Sequence, residues 1–281
     1  MKVLCLHGQG TSGAIFKSQT AAFRSKLGPS YTFDFPDAPF PCPPAPGIKA
    51  MYATGGTYTW WPQPTVSLIR GSHQRLLDHI ADSGPYDALC CFSQGCALAF
   101  SFLLYHARES PPEPPPFKSV IFICGGVPFP VLEDLGLKLS DRARQVDEET
   151  VRIMKAKAAK LGHMASNLGE IKRGEGLWDD TSDLIHDPGG RVHEEEDGGG
   201  DVFGIDFGNV PGDMRIRGIP TVHVMGPKDP RWPSSVQRAY FCESGMRVVY
   251  DHGGGHDLPR STEVSERIAE LVRGLPGGEK G

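Results

Sequence analysis

One heptapeptide, Cys90-Cys-Phe-Ser-Gln-Gly-Cys96, constrains the fold more than any other part of the chain. An apolar run, 87–92, stops at Ser93, and a helix-forming run, 94–104, begins at the next residue. A strand that turns into a helix within one residue strains its backbone there and exposes that residue's side chain. The pattern predicts a nucleophile elbow: the Ser93 hydroxyl lies at the edge of a parallel sheet, and the Gln94 amide faces a developing negative charge.

The elbow departs from its usual pattern at one position, where Cys91 replaces a glycine. The turn needs a small side chain there, and cysteine is small, so the prediction holds. The chain has seven cysteines, an odd number, and several lie within apolar runs. This distribution favours reduced core thiols over a disulfide framework.

The rest of the chain alternates apolar runs with amphipathic ones, which predicts alternating strands and helices. Strands are expected at 2–7, 31–35, 88–92, 118–124, 221–225 and 246–250, and helices at 14–27, 65–80, 94–106, 147–161, 234–242 and 262–272. The apolar patterning is continuous, which predicts a mostly parallel sheet with helices on both faces. We expect an α/β protein whose single domain spans 1–281.

Residues 37–64 interrupt this alternation. Their prolines and glycines exclude regular structure, yet the segment is dense in aromatic residues. A long apolar loop is typical of a lid or pocket wall. Tyr58, Trp60 and Trp61 are therefore predicted to bind substrate, although the two tryptophans fit a core position equally well.

Residues 132–217 form a second interruption, predicted to be an insertion that contains the helix 147–161. Within it, the tract 175–213 is acidic and has a glycine-rich centre. Such a composition cannot bury enough apolar surface to become ordered, so we expect partial disorder there.

Composition excludes several classes of protein. The net charge of -5 gives no general basis for binding nucleic acid. No apolar run approaches the roughly 20 residues that span a bilayer, and the apolar run at the N-terminus is too short for a signal peptide. We expect a soluble, cytoplasmic protein.

The first turn has two interpretations. His7-Gly-Gln-Gly-Thr-Ser-Gly13 contains G-x-G-x-x-G after a strand, and Asp34 ends the next strand, as in a dinucleotide-binding fingerprint. The same residues fit the His-Gly turn of serine hydrolases, whose amides stabilise an oxyanion. In that interpretation His7 orients the turn. The nucleotide interpretation predicts nothing at Ser93.

Later residues favour the hydrolase. Asp229 follows the fifth strand and His256 follows the last, which gives the order Ser, Asp, His. A serine hydroxyl needs an imidazole to take its proton, and the imidazole needs a carboxylate on its other nitrogen. His252 competes with His256 as the base, but His256 lies nearer the closing helix. The glycines between them exclude the helix that would align both rings on a metal, so no metal site is predicted.

These residues resemble the fungal serine hydrolase family of α/β-hydrolases. The likeness covers roughly residues 1–130 and 215–273. It rests on five motifs: Leu4-Cys-Leu-His-Gly8, Thr11-Ser-Gly-Ala-Ile-Phe16, Phe92-Ser-Gln-Gly95, Gly226-x-x-Asp229 and His252-Gly-Gly-Gly-His256. The resemblance implies an α/β-hydrolase fold, a Ser93-Asp229-His256 triad, and oxyanion donors on the Gln94 and Gln9 amides. No cofactor is implied.

Several family members resemble thioesterases of fungal polyketide clusters. The resemblance therefore implies hydrolysis of an acyl thioester or ester, with a polyketide-type acyl group and the acyl carrier domain of a synthase as a partner. A basic helical region at 142–173 could dock such a domain, although a solvated helix face explains it more simply. The alternatives are a general short-chain carboxylesterase and, more remotely, a non-catalytic or nucleotide-binding α/β protein.

Overall fold

The structure is a computed structural model that describes residues 1–52, 55–110, 113–166, 178–185 and 200–278, with side chains up to 162 in the third range. Its strands are β1 (Lys2–Leu6), β2 (Thr32–Asp34), β3 (Phe40–Pro41), β4 (Tyr58–Thr59), β5 (Ala88–Phe92), β6 (Ser119–Ile123), β7 (Asp201–Val202), β8 (Ile205–Asp206), β9 (Thr221–Met225) and β10 (Arg247–Asp251). Its helices are α1 (Gly13–Gln19), α2 (Ala21–Arg24), α3 (Ile48–Met51), α4 (Val66–Ser83), α5 (Gln94–Glu109), α6 (Phe129–Asp134), α7 (Asp141–Ser166), α8 (Trp232–Phe241) and α9 (Thr262–Arg273).

The central sheet has six strands in the order β10-β9-β6-β5-β1-β2, and every pair is parallel. From β1 the chain first moves outward to β2 and then returns to β5 on the other side. The order therefore reverses between β1 and β5. In open parallel sheets, the crevice at such a reversal is where ligands bind.

The continuous apolar runs arise because both faces of the sheet are covered. In β5, Leu89 and Cys91 pack on one face, whereas Cys90 and Phe92 pack on the other. All four are buried. Successive side chains of a strand point to opposite faces, so a strand between two helix layers must be apolar at every position. This arrangement confirms the predicted α/β fold class.

The aromatic segment 37–64 contains more regular structure than its prolines and glycines predict. Strands β3 and β4 form an antiparallel pair, and the short helix α3 lies between them. Tyr58 also forms a bridge to Thr11 in the first turn. These pairings join residues far apart in sequence, which local turn signals cannot show.

Part of the acidic tract is also ordered. Residues 175–177 and 186–199 lie outside the described residues, but 200–213 contains the β7–β8 hairpin. Phe203 and Phe207 of this region are buried, and the Phe207 ring lies 4.9 Å from that of Phe241 on α8. The acidic composition of the whole tract masks this apolar cluster. The predicted boundaries of the insertion, 132 and 217, remain predictions.

Across the described parts of the chain, no helix combines the length and the apolar character needed to cross a membrane.

Candidate active site

Ser93 lies at the sharp turn between β5 and α5. Its backbone has φ 52° and ψ −114°, a conformation that non-glycine residues rarely adopt. Gly95 allows the turn, because a Cβ there would overlap the carbonyl oxygen of Leu6 on β1. Helix α5 therefore begins directly against β1, and the Ser93 side chain stays partly exposed at the carboxyl edge of the sheet.

Three side chains from three strand ends form one hydrogen-bonded chain at this edge. His256 Nε2 lies 3.0 Å from Ser93 Oγ, and His256 Nδ1 lies 2.8 Å from Asp229 Oδ2. Since a carboxylate only accepts, Nδ1 carries the proton, and Nε2 is free to accept from the serine hydroxyl. Asp229 is 2 % exposed, and its Oδ1 accepts from the Arg231 amide at 2.7 Å. This contact fixes the carboxylate.

His252 is placed differently from His256. Its Nδ1 accepts from the Gly254 amide at 3.2 Å, so its Nε2 carries the proton toward Cys124 Sγ, 3.3 Å away. Burial lowers the pKa of His252 and raises that of the Cys124 thiol. His252 and Cys124 are therefore both neutral, and they lie beneath the loop that carries His256.

The turn after β1 lies against the nucleophile. A Cβ on Gly8 would come within 3.1 Å of Ser93 Cβ. His7 Nε2 accepts from the Ala38 amide at 2.9 Å, so its Nδ1 carries a proton and donates to the Gly8 carbonyl at 2.8 Å. Burial lowers the pKa of His7 and keeps the ring neutral. His7 thus holds the turn from both of its ring nitrogens.

Two backbone amides remain near Ser93. The Gln94 amide is at the first position of the 16-residue helix α5, where helical amides have no intrahelical acceptor and the helix dipole is positive. The Gln9 amide makes no hydrogen bond within the described part of the chain, whereas the next amide, that of Gly10, donates to the Tyr58 carbonyl at 2.9 Å. The predicted oxyanion donors are thus available.

The Gln94 side chain is held by the aromatic segment, a contact that sequence reasoning missed. Its Oε1 accepts from Thr59 Oγ1 and from the Trp60 amide, both at 2.9 Å, and its Nε2 donates to the Trp61 carbonyl at 3.2 Å. The neighbouring Tyr58 donates its amide to the Thr11 carbonyl at 2.7 Å. Strand β4 therefore joins the first turn to the elbow.

The three residues predicted to bind substrate lie beside these contacts. Trp60 and Trp61 are 4 % and 5 % exposed and belong to the core, and the Trp60 indole donates to the His7 carbonyl at 2.8 Å. Tyr58 is half-buried. The two tryptophans pack in the core next to the site. Direct contact of Tyr58, Trp60 or Trp61 with substrate remains a prediction.

The glycine fingerprint is occupied by the chain itself. The Gly10 amide pairs with Tyr58, and the Gly13 amide donates to Asp37 Oδ1 at 2.8 Å. Asp34 accepts from the Tyr86 hydroxyl and lies 2.8 Å from His79 Nε2. Two amides of the fingerprint and the carboxylate that would hold a ribose therefore already have partners.

Trp178 is a second residue that sequence reasoning missed. It lies against the loop that carries His256, because a Cβ on Gly255 would overlap its indole ring. A lone tryptophan in an otherwise acidic tract was the available signal. Among the described residues, no group of His, Cys, Asp and Glu has the arrangement of a metal site.

Comparison with known proteins identifies the family. Residues 1–158 match the model of the serine hydrolase (FSH1) family, which is more than half of the chain. The chain belongs to this family, and the fold, the elbow and the family together make it an α/β-hydrolase and an enzyme of the serine hydrolase class. The matched segment contains Ser93 and ends before Asp229 and His256.

Two curated relatives match over nearly the whole chain. Esterase FPY3 of Fusarium mangiferae is 27% identical, over 97% of this chain and 95% of its own. Hydrolase FUB4 of Gibberella moniliformis is 25% identical, over 97% of both chains. Among solved structures, Zea mays acyl-protein thioesterase 2 aligns with a TM-score of 0.49 at 12% identity, covering 96% of this chain and 91% of that one.

Proposed function

We propose that the protein hydrolyses an acyl thioester or ester through a covalent acyl-enzyme on Ser93. The observation that carries this proposal is the hydrogen-bonded chain from Ser93 Oγ through His256 to Asp229, with distances of 3.0 and 2.8 Å. Nucleophile, base and orienting carboxylate then have the geometry that acyl transfer requires.

In the first half-reaction, Ser93 Oγ attacks the acyl carbonyl carbon while His256 Nε2 takes the hydroxyl proton. Asp229 stabilises the imidazolium that forms. The carbonyl oxygen becomes an oxyanion and accepts from the Gln94 and Gln9 amides. When the tetrahedral intermediate collapses, the bond to the leaving alcohol or thiol breaks, and His256 returns the proton to it.

In the second half-reaction, His256 removes a proton from water, and the resulting hydroxide attacks the acyl-enzyme. Collapse releases the carboxylic acid and returns a proton to Ser93 Oγ. Losing one oxyanion donor costs about 3 kcal/mol in comparable sites. The rigid attachment of Gln94 to β4 therefore supports the rate.

For the substrate, the resemblance to fungal thioesterases favours a polyketide-type acyl group, and the names of the relatives, esterase and hydrolase, suit ester or thioester cleavage. An acyl carrier domain is the proposed macromolecular donor, and the protein is proposed to act in the cytoplasm. A general short-chain carboxylesterase is the second candidate, favoured by the esterase name of FPY3.

A matched substrate pair tests the proposal. The same acyl group is offered as an N-acetylcysteamine thioester and as an ethyl ester, and kcat/KM is measured for each with wild type, Ser93→Ala and His256→Ala. His106→Ala serves as the control, because His106 lies on α5 and bonds the Glu113 carbonyl.

We expect Ser93→Ala and His256→Ala to lose both activities, and we expect His106→Ala to keep both. The substrate pair is prepared once with an aromatic, polyketide-like acyl group and once with a short-chain acyl group. Faster cleavage of the polyketide-like thioester supports the polyketide assignment, and faster cleavage of the short-chain ester supports a general carboxylesterase. Turnover that survives Ser93→Ala contradicts the proposed function.

A further inference from the structure

Two consecutive residues of the segment 178–185, Trp178 and Asp179, lie against the loops that carry His256 and Asp229. Trp178 covers Gly255, the residue before His256, so closely that all three atoms nearest to a Cβ built on that glycine belong to the indole. The Trp178 side chain also lies near the carboxyl group of Asp257, the residue after His256, and partly offsets the burial that raises the pKa of this carboxyl. One side chain thus lies against both neighbours of His256.

The next residue reaches the other loop. Asp179 Oδ1 lies 3.0 Å from Lys228 Nζ, and Lys228 precedes Asp229. The Lys228 amide in turn donates to the Gly254 carbonyl at 3.0 Å. The two loops are therefore joined by a backbone hydrogen bond and covered by two consecutive side chains of the insertion.

The segment is itself anchored to α7. Lys157 Nζ donates to the Asp180 carbonyl at 2.8 Å and lies 3.0 Å from Asp183 Oδ1. The Lys157 side chain is 8 % exposed and that of Asp183 is 42 % exposed, so solvent screens this ion pair from the Asp183 side. Asp147 on helix α7 also accepts a hydrogen bond from Arg231, whose Nη2 lies 2.7 Å from Asp147 Oδ1. The support behind Trp178 is thus an ordered helix.

We propose that Trp178 is a positioning residue that holds His256 in line with Ser93 and Asp229. This inference rests on the proposed function. The loop before His256 is Gly253-Gly-Gly255, which has little rigidity of its own. The Lys228 amide holds it at Gly254, and a further contact must restrict Gly255, the residue next to His256. Trp178 supplies the contact, and Asp179 fixes the adjoining loop through Lys228.

The test compares rates of covalent labelling by a small fluorophosphonate, because such a probe reports the reactivity of Ser93 with little contribution from substrate binding. Trp178→Ala should lower the second-order labelling rate about tenfold, since misplacing a reacting group by a fraction of an ångström has effects of this order. Trp178→Phe keeps the ring over Gly255 and should retain most of the rate. The melting temperature is measured for each variant.

Ser182→Ala is the matched control. It removes a hydrogen bond inside the same segment, Ser182 Oγ to Asp180 Oδ1 at 2.7 Å, without touching either loop. It should label at the wild-type rate. An equal loss of rate in Ser182→Ala and Trp178→Ala would show a general effect of the segment and overturn the proposal.

A suppressor pair tests the contact even if Trp178→Ala folds poorly. Gly255 does not have a left-handed φ, so the Trp178 ring is the main obstacle to a side chain there. Gly255→Ala alone should slow labelling, and adding Trp178→Gly should restore part of the rate. If the double variant labels at the wild-type rate, or if Trp178→Ala does, the positioning role is wrong. If wild type is not labelled at all, the proposed function itself fails.

Discussion

At Cys91, a cysteine occupies the elbow position where glycine is usual. The side chain is fully buried in the core, and the Cys91 carbonyl accepts from the Cys96 thiol at 3.2 Å. Burial raises the pKa of Cys91 and raises that of Cys96 to about 11, so both thiols stay protonated. The turn therefore accommodates Cys91 as a small apolar residue.

Replacing Cys91 with glycine should cost stability and leave activity unchanged. The change removes buried atoms and adds backbone freedom to β5, for a combined loss of about 1–3 kcal/mol. Urea unfolding and ester hydrolysis measure the two quantities, and Cys91→Ala separates the cavity from the effect of glycine. A higher kcat in Cys91→Gly would show instead that the cysteine distorts the elbow.

In the proposed mechanism, Asp229 acts on the reaction only through His256 Nδ1. Asp229→Asn keeps the size of the side chain but loses the charge that orients and stabilises the imidazolium, so kcat should fall by about 10⁴-fold. Asp251→Asn is the matched control, since Asp251 is exposed and accepts from the Gly253 amide near the same loop. Comparable losses in the two variants would contradict the assigned role.

Among the elements, α5 is the one whose placement decides the site. In the proposed mechanism it must begin within van der Waals distance of β1, so that the Gln94 amide can serve the same oxyanion as the Gln9 amide. Gly95 permits this approach, because any side chain there would meet the Leu6 carbonyl.

Gly95→Ala should therefore destabilise the fold by about 2 kcal/mol or more, because the added methyl group forces α5 away from the sheet. Gly71→Ala is the control on another helix, α4, where nothing lies within 4 Å of the added Cβ. It should stabilise by about 0.5–1 kcal/mol through helix propensity and lower entropy of the unfolded chain. Equal effects in guanidinium unfolding would contradict this account of α5.

The sequence was sufficient to predict the elements that have a local pattern. The six sheet strands match the apolar runs closely, and α7 only runs further than its apolar stripe indicates. The meeting of Ser93, Asp229 and His256 was also predictable, because each follows a strand and parallel strands share one carboxyl edge.

Contacts that depend on non-local pairing could not be predicted. The hydrogen bond from Thr59 to the Gln94 side chain requires β4 to pair with Thr11, and no pattern within residues 37–64 indicates that pairing. The β7–β8 hairpin and the contact of Trp178 with Gly255 likewise depend on partners that are distant in sequence. In each case the residues become partners only after the sheet has assembled.

At the scale of the whole molecule, buried histidines make stability depend on pH. Burial lowers the pKa of His7, His223 and His252, and it lowers the pKa of His73 to about 3. Unfolded histidines titrate near 6.5, so below that pH the unfolded chain binds more protons than the folded one. Stability is full above about pH 6.5 and decreases as the pH falls toward the folded pKa values.

The free energy of unfolding should therefore drop by at least about 2 kcal/mol between pH 7.5 and 5.5. Asp257 opposes this trend in part, because burial raises its pKa and the folded state takes up that proton first. Urea unfolding at the two pH values measures the difference, and His73→Gln should reduce it. An unchanged free energy would show that these histidines are accessible to solvent.

The most direct test of the central claim is the intact mass of the protein after reaction with a fluorophosphonate. Wild type should gain a single phosphonyl group, Ser93→Ala should gain none, and His256→Ala should gain it much more slowly. A wild type that stays unlabelled, or a Ser93→Ala variant that still gains the mass, would contradict the assignment of Ser93 as the nucleophile.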